Sequence, residues 1–497
     1  MLTALAVAAL VCGGYATEQV IFKDVAIIGG GASGSYAAVR IREDFGKSVA
    51  LIEKKDRLVR TPSHCSVIAR LAASSLVGLT CIFAQGGHVD SFVDPETNTP
   101  LDFGVKSFID EGNATGFFDR LGIKRKHGAN IRLNTTYVDF STGKVLGFTP
   151  PPMAAQMDAL KKYLEIVEPW EHLIQPGYFD FPDRDAIPHD FLIPFGEFVT
   201  AHGLEEAVPF IYQVTGLGLG NITNELTLFV LQTFTVAMTR SVLGLQDAFI
   251  PESGRNQDVY DAVAGLLGSD VFYSSTVFDA LRTRHGVKLA IKNTDSGHVT
   301  VIKAKRLLIA IEPTAENTGP FHLDAEERET FSKFRYTRRY AGIIKSDMLA
   351  VNASYFNLPP NAAPKNYLSY PEVPYDARID YMGTGKYFRV NVIGDKDLEP
   401  DSAKELVRRD IQTLMDAGVV RAGEGAEAEV DWADFSDHGP MYAHVSGQEV
   451  EAGFIQNLYG LQGRLSTWWT GAAWSVHYQT ALWKFDDILI PKLLSGL

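Results

Sequence analysis

Residues 25–53, VAIIGGGASGSYAAVRIREDFGKSVALIE, read as strand, glycine turn, helix, strand and acid in that order. Val25 to Ile28 form an unbroken apolar run, the pattern of a strand buried on both faces of a parallel sheet. Gly29, Gly31 and Gly34 follow at the spacing G-x-G-x-x-G, with Ser33 between the second and third. A helix is expected over residues 35–42 and a second strand over 48–52, ending at Glu53. Gly29 permits a tight turn off the strand, and Gly31 has no side chain to block a pyrophosphate. Gly34 lets the helix pack against the sheet, and the helix N-terminus offers free N–H groups to phosphate oxygens. Glu53 stands where a carboxylate accepts ribose hydroxyls and repels a 2′-phosphate. A ligand-free glycine turn is the alternative; the complete order of parts favours a dinucleotide.

With 497 residues the chain exceeds one hydrophobic core, so two or more domains are expected. A net charge of −14 and the lack of any basic block leave nothing to neutralise phosphates, which excludes nucleic acid as a partner. Residues 2–11 are apolar and lead into Gly13-Gly14-Tyr15-Ala16, as in a secretory signal (residues 1–16) cut after Ala16. The usual basic start of such a signal is missing, so an uncleaved anchor or a mis-set start stays open. Asn113, Asn134, Asn221 and Asn352 each begin an N-x-[ST] sequon, in keeping with a secreted or lumenal protein.

Between Arg57 and Gly86 the chain is interrupted. Removing residues 59–85 joins EKKDRL to GGHVD and restores an acid-x-x-x-Arg-x-Gly-Gly arrangement, in which Arg57, Gly86, Gly87 and His88 approach the cofactor just after Glu53. The segment is 27 residues, a whole number of codons. Val59-Arg60, Leu79-Thr80 and Gln85 can encode a splice donor, a branch point and a splice acceptor. A retained intron is the reading; a surface insertion and a membrane-associated helix over residues 66–84 are the alternatives. Of the 3 cysteines, Cys12 lies in the signal and Cys65 and Cys81 in this segment, so the remaining chain has no disulfide or thiolate metal site.

Beyond it, alternating residues predict a hairpin around residues 95–99, then a helix over 113–121. Residues 123–258 read as mostly helical. The apolar run 226–245 carries Thr227, Gln232, Thr233, Thr235 and Arg240, which favours a buried helix or cavity floor over a membrane span. Residues 270–277 read as a strand, 287–292 and 298–302 as a hairpin, and 305–311 as a buried strand returning to the first sheet. There Val277 sets its backbone against an adenine or serves as plain sheet. Residues 331–395 read as strand-rich and 405–417 as an amphipathic helix with Leu406, Ile411, Leu414 and Met415 inward. Near the C-terminus FIQNLY (454–459) reads as a strand. Thr470, Gly471 and Ala472 then open a helix whose amides can reach a ligand, with Trp468, Trp469 and Trp474 either walling it or packing as core.

Together GGGASG, Glu53, Arg57, Gly86-Gly87, the returning strand and the C-terminal glycine–alanine turn resemble the flavin-containing amine oxidase superfamily. EKKDRL–GGHVD, LDFGVKSFID and WWTGAAW more narrowly resemble the fungal beta-cyclopiazonate dehydrogenase family. The resemblance implies FAD, an α/β fold with a discontinuous Rossmann-type FAD-binding domain (20–112, 266–315 and 446–490), and a mixed helical and sheet substrate domain (113–265 and 316–445). It also implies a small hydrophobic substrate that is dehydrogenated or oxidatively cyclised in secondary metabolism, oxygen being one candidate electron acceptor. A secreted amine oxidase releasing hydrogen peroxide is the second reading, and a product inactivated or membrane-tethered by the insertion the third. A flavin leaves the protein to supply orientation and electrostatics. His88 and His438 stand out among the 12 histidines. A backbone carbonyl is the expected partner of His88, and no catalytic acid or base is assigned.

Overall fold

The structure, a computed structural model, describes residues 19–58, 88–128, 131–214, 218–421 and 425–497. The expected signal (residues 1–16), the 59–85 segment, all three cysteines and the Gly86-Gly87 pair lie outside the described residues.

The strand β1 (Gln19–Ile28), the helix α1 (Ala32–Glu43) and the strand β2 (Val49–Ile52) form the expected unit. Its apolar residues Val25–Ile27 and Val49–Leu51 are fully buried, as strands covered on both faces must be. β1 runs parallel to β2 on one side and to the Val299–Ile309 strand on the other; Ile28 lies level with both Ile52 and Ile309. The Thr467–Trp469 strand adds in parallel to Val299–Ile309, with Trp469 beside Ile309. Val271–Phe272 adds in parallel to β2 on the far side, so five parallel strands end at one edge. Loops leaving that edge are where ligands bind in sheets of this kind.

Two expectations are corrected here. Residues 298–302 and 305–311 belong to one continuous strand, Val299–Ile309, whose first half pairs with Gly286–Asn293 and whose second half lies beside β1. Residues 454–459 form a helix, Phe454–Gly460, with Phe454, Ile455 and Leu458 buried at helical spacing. The strand preceding the glycine–alanine turn is Thr467–Trp469 instead.

A second, seven-stranded sheet takes its strands in the order Asp431–His444, Arg335–Lys345, Tyr387–Asp395, Tyr375–Tyr381, Ala353–Asn357, Asn134–Asp139, Lys144–Val145. One face packs on the Pro400–Asp416 helix, where Ile379, Phe388 and Val390 meet Leu406, Ile411 and Leu414 as the amphipathic pattern requires. The hairpin Ser91–Val93 with Pro100–Asp102 and the helix Ala114–Arg120 form as expected. The apolar 226–245 run breaks into two short helices, Thr227–Thr233 and Val236–Val242, at Thr235, whose hydroxyl caps the second by accepting from the Met238 amide. The Thr233 and Thr239 hydroxyls donate to carbonyls one turn back, which satisfies them in a buried setting. Among the described residues, no helix is long and apolar enough to cross a membrane, and no group of three metal-ligating side chains gathers.

Candidate active site

A cavity of about 1280 Å³ begins at the edge where the parallel strands end and runs to the second sheet and the helices. At its first end the glycine turn is as tight as its spacing requires. Gly29 has φ +97°, and a Cβ there would stand 2.8 Å from the Ala310 carbonyl oxygen. A Cβ on Gly34 would stand 1.9 Å from the Gly29 carbonyl oxygen, so only glycine lets α1 begin this close to the strand. Gly31 and Ser33 line the cavity, and the buried Ser33 Oγ has no hydrogen-bond partner. α1 has no acidic residue in its first turn, which leaves its N-terminal field to an anion.

Glu53 is buried beside this turn and lines the cavity. Its Oε2 accepts from the Gly30 amide at 2.6 Å and its Oε1 from the Lys55 amide at 2.9 Å. Burial pushes its carboxyl up, against those two hydrogen bonds. Gly30, which the motif leaves unassigned, is also closely packed: a Cβ there would meet the Leu58 side chain at 2.5 Å and Glu53 Oε2 at 3.0 Å. Val277 lines the cavity where its ladder shifts register before Asp279. Arg57 does not line it. Its guanidinium is paired with the neighbouring Asp56 at 2.9 Å.

At the C-terminal turn Gly471 and Ala472 line the cavity. Gly471 has φ +106° with open space where a Cβ would project. Thr470 faces the other way. Its amide donates to the Ile309 carbonyl at 2.9 Å and its hydroxyl to the buried Asp486. Trp469 and Trp474 are core: they stack on each other at 5.4 Å and pack edge-on to Phe331.

His88 has the expected backbone partner, the His438 carbonyl at 3.2 Å, and its ring stacks on that of His438 at 4.8 Å. His438, the second histidine that stood out in the sequence, has a partner the sequence did not suggest. Its Nε2 lies 2.7 Å from Asp90 Oδ2, Ser436 donates to the other Asp90 oxygen at 3.1 Å, and its buried Nδ1 has no partner. Burial lowers the imidazole's proton affinity, with Asp90 opposing. A neutral ring that donates Nε2–H to Asp90 presents a lone pair at Nδ1, and so can accept a proton. Asp90 follows the glycine pair and His438 lies in SDHGP; no local signal in either motif joins them. Glu312, just past the end of Val299–Ile309, also lines the cavity; burial pushes its carboxyl up to about 8, and its Oε2 has no partner.

These residues fit a flavin dinucleotide: a glycine cradle, an unsatisfied serine hydroxyl, an acid beside the turn, and an open glycine at the C-terminal turn. The comparisons with known proteins agree. The NAD(P)-binding Rossmann-like domain model matches residues 27–76. The chain is 30% identical to FAD-dependent oxidoreductase pigF of Monascus ruber over 97% of its own length and 94% of that protein's. It is 28% identical to Beta-cyclopiazonate dehydrogenase of Aspergillus flavus over 97% and 95%. In fold it is similar to a CLA-producing fatty acid isomerase from P. acnes (TM-score 0.68, 15% identical, 95% of this chain and 99% of that one). Putrescine oxidase bound to putrescine shares the fold too (TM-score 0.57, 15% identical, 96% and 100%). The chain belongs to the family of fungal FAD-dependent oxidoreductases that includes beta-cyclopiazonate dehydrogenase.

Proposed function

We propose that the protein dehydrogenates, or oxidatively cyclises, a small lipophilic metabolite in a secondary-metabolite pathway. The observation that carries this reading is the cavity of about 1280 Å³, whose lining includes the apolar side chains of Met153, Met157, Phe210, Val214, Met238 and Val242. Bound FAD supplies the acceptor for the two electrons removed from substrate. Gly31, Ser33 and the start of α1 would hold its pyrophosphate, Glu53 its ribose, the Val277 backbone its adenine, and the Gly471 and Ala472 amides its ring edge. The His438 Nδ1 would take the proton that leaves substrate, with Asp90 holding the ring. Titrating the flavin-loaded protein with extracts of its own biosynthetic pathway, without oxygen, should bleach the visible absorbance of the flavin. Bleaching by simple amines, with hydrogen peroxide formed on readmitting air, would instead support an amine oxidase.

We also propose that the mature protein is lumenal or secreted and N-glycosylated. The apolar N-terminus supports this, as does the exposure of Asn134 and Asn352.

A further inference from the structure

The second sheet is apolar on the face that meets the Pro400–Asp416 helix and charged on the face that meets the cavity. Residues two apart on a strand share a face. Arg378 and Asp380 flank Ile379, and Arg389 and Asn391 flank Val390. Ile379 and Val390 point into the core, so the four polar side chains point the other way, and all four line the cavity together with Arg339. The three strands that carry them are neighbours.

Their pairing is incomplete. Asp380 Oδ2 lies 2.6 Å from Arg378 Nε and 3.0 Å from Arg389 Nη2, so one carboxylate serves two guanidiniums. Ser354 donates to its other oxygen at 2.7 Å. Arg339 donates to the neutral Asn391 Oδ1 at 2.7 Å. The Nε of Arg339, the Nε of Arg389 and the Nδ2 of the fully buried Asn391 have no hydrogen-bond partner. Arg339 also acts electrostatically on both His88 and His438, which sets the cluster beside the proton-accepting histidine. Buried guanidiniums short of counter-charge are costly, and a planar anion satisfies them with paired, charge-assisted hydrogen bonds.

We propose that this cluster anchors the substrate, which enters as a lipophilic anion with its carboxylate, or a similarly delocalised oxyanion, held by Arg339 in the field of Arg378 and Arg389. The inference rests on the cavity being the substrate chamber of the oxidoreductase, and it names the substrate class. A protonated amine would meet the same charges as repulsion.

Calorimetric titration of the flavin-loaded full chain with decanoate, decanamide and decylamine tests it. Decanoate should bind at least about tenfold more tightly than decanamide, with decylamine weakest. Arg339→Gln should reduce decanoate to the affinity of decanamide while flavin content stays that of the unsubstituted protein, and Arg339→Lys should restore part of the preference. Equal binding of decanoate and decanamide, or tightest binding of decylamine, would overturn the proposal. So would loss of flavin from a folded Arg339→Gln variant, because the cluster would then belong to the cofactor's phosphates. If Arg339→Gln does not fold, the three-ligand comparison on the unsubstituted protein decides. A colourless protein counts against the oxidoreductase reading, while its preference among the three ligands still reports on the anion site.

Discussion

Glu53 is clamped by its own turn: two backbone amides hold its carboxylate, and the residue lines the cavity. Glu53→Ala removes the clamp and the ribose acceptor together. Flavin should be retained at least about tenfold less tightly, in line with charge-assisted hydrogen bonds of about 1.5–3 kcal/mol. Flavin absorbance after gel filtration measures this, and unchanged retention would show that Glu53 is not the ribose ligand. Glu312 supplies a pH signature. Its carboxyl is raised from 4.5 to about 8 in the folded chain, so the folded state keeps a proton that the unfolded state releases. Its contribution to stability is complete below pH 4.5 and is lost as pH rises toward about 8. Glu312→Gln keeps the shape without the charge. Its melting temperature should exceed that of the unsubstituted protein at pH 8, by a margin that shrinks toward pH 5; a margin constant across that range would contradict the assignment. Glu53 and Gly34 were legible in the sequence because each acts inside one strand–helix–strand unit. The pairing of His438 with Asp90 was not, because the two meet across 348 residues. Arg378, Asp380, Arg389 and Asn391 showed the alternation of a strand, but alternation alone cannot distinguish a face toward a cavity from a face toward water.

At the level of elements, the helices and strands with long periodic patterns formed where expected, and the short apolar runs did not. Residues 454–459 are too few for period alone to separate strand from helix. The 298–311 passage carries Lys303 and Lys305 within one continuous strand, which made it read as two. The 59–85 segment remains a matter of sequence and position. On its flanks, Leu58 is buried with its carbonyl accepting from Gln257 at 2.7 Å, and Val89 is buried as well. Lengthening a loop costs only about 0.6 kcal/mol per doubling, so folding alone does not forbid the segment. We propose that it is absent from the functional protein. Transcripts should join the codons of Leu58 and Gly86, and the shorter chain should retain more flavin. A dominant transcript carrying all 27 codons, with a flavin-loaded active product, would make the segment a genuine part of the enzyme.

Across the whole molecule, one sheet ends its parallel strands on the cavity and the other presents its charged face to it. The returning strand that completes the first sheet was legible from its unbroken apolar run; the charged face of the second was not, because it depends on which layer the Pro400–Asp416 helix covers. Passage through the secretory pathway would leave its mark on the whole chain. Glycosidase treatment should lower the mass of protein secreted by its native host, and the N-terminus should begin after Ala16; an intact Met1 with no mass loss would contradict secretion. The central claim is that this fold holds FAD, and we propose that it holds it without a covalent bond, the sequence around the C-terminal turn containing no cysteine. Acid precipitation of the purified protein, followed by the absorbance spectrum of the supernatant, tests it most directly. FAD should be released in close to equal amount with the chain; a colourless supernatant, whether from protein without flavin or from flavin left on the precipitated peptide, would contradict the account.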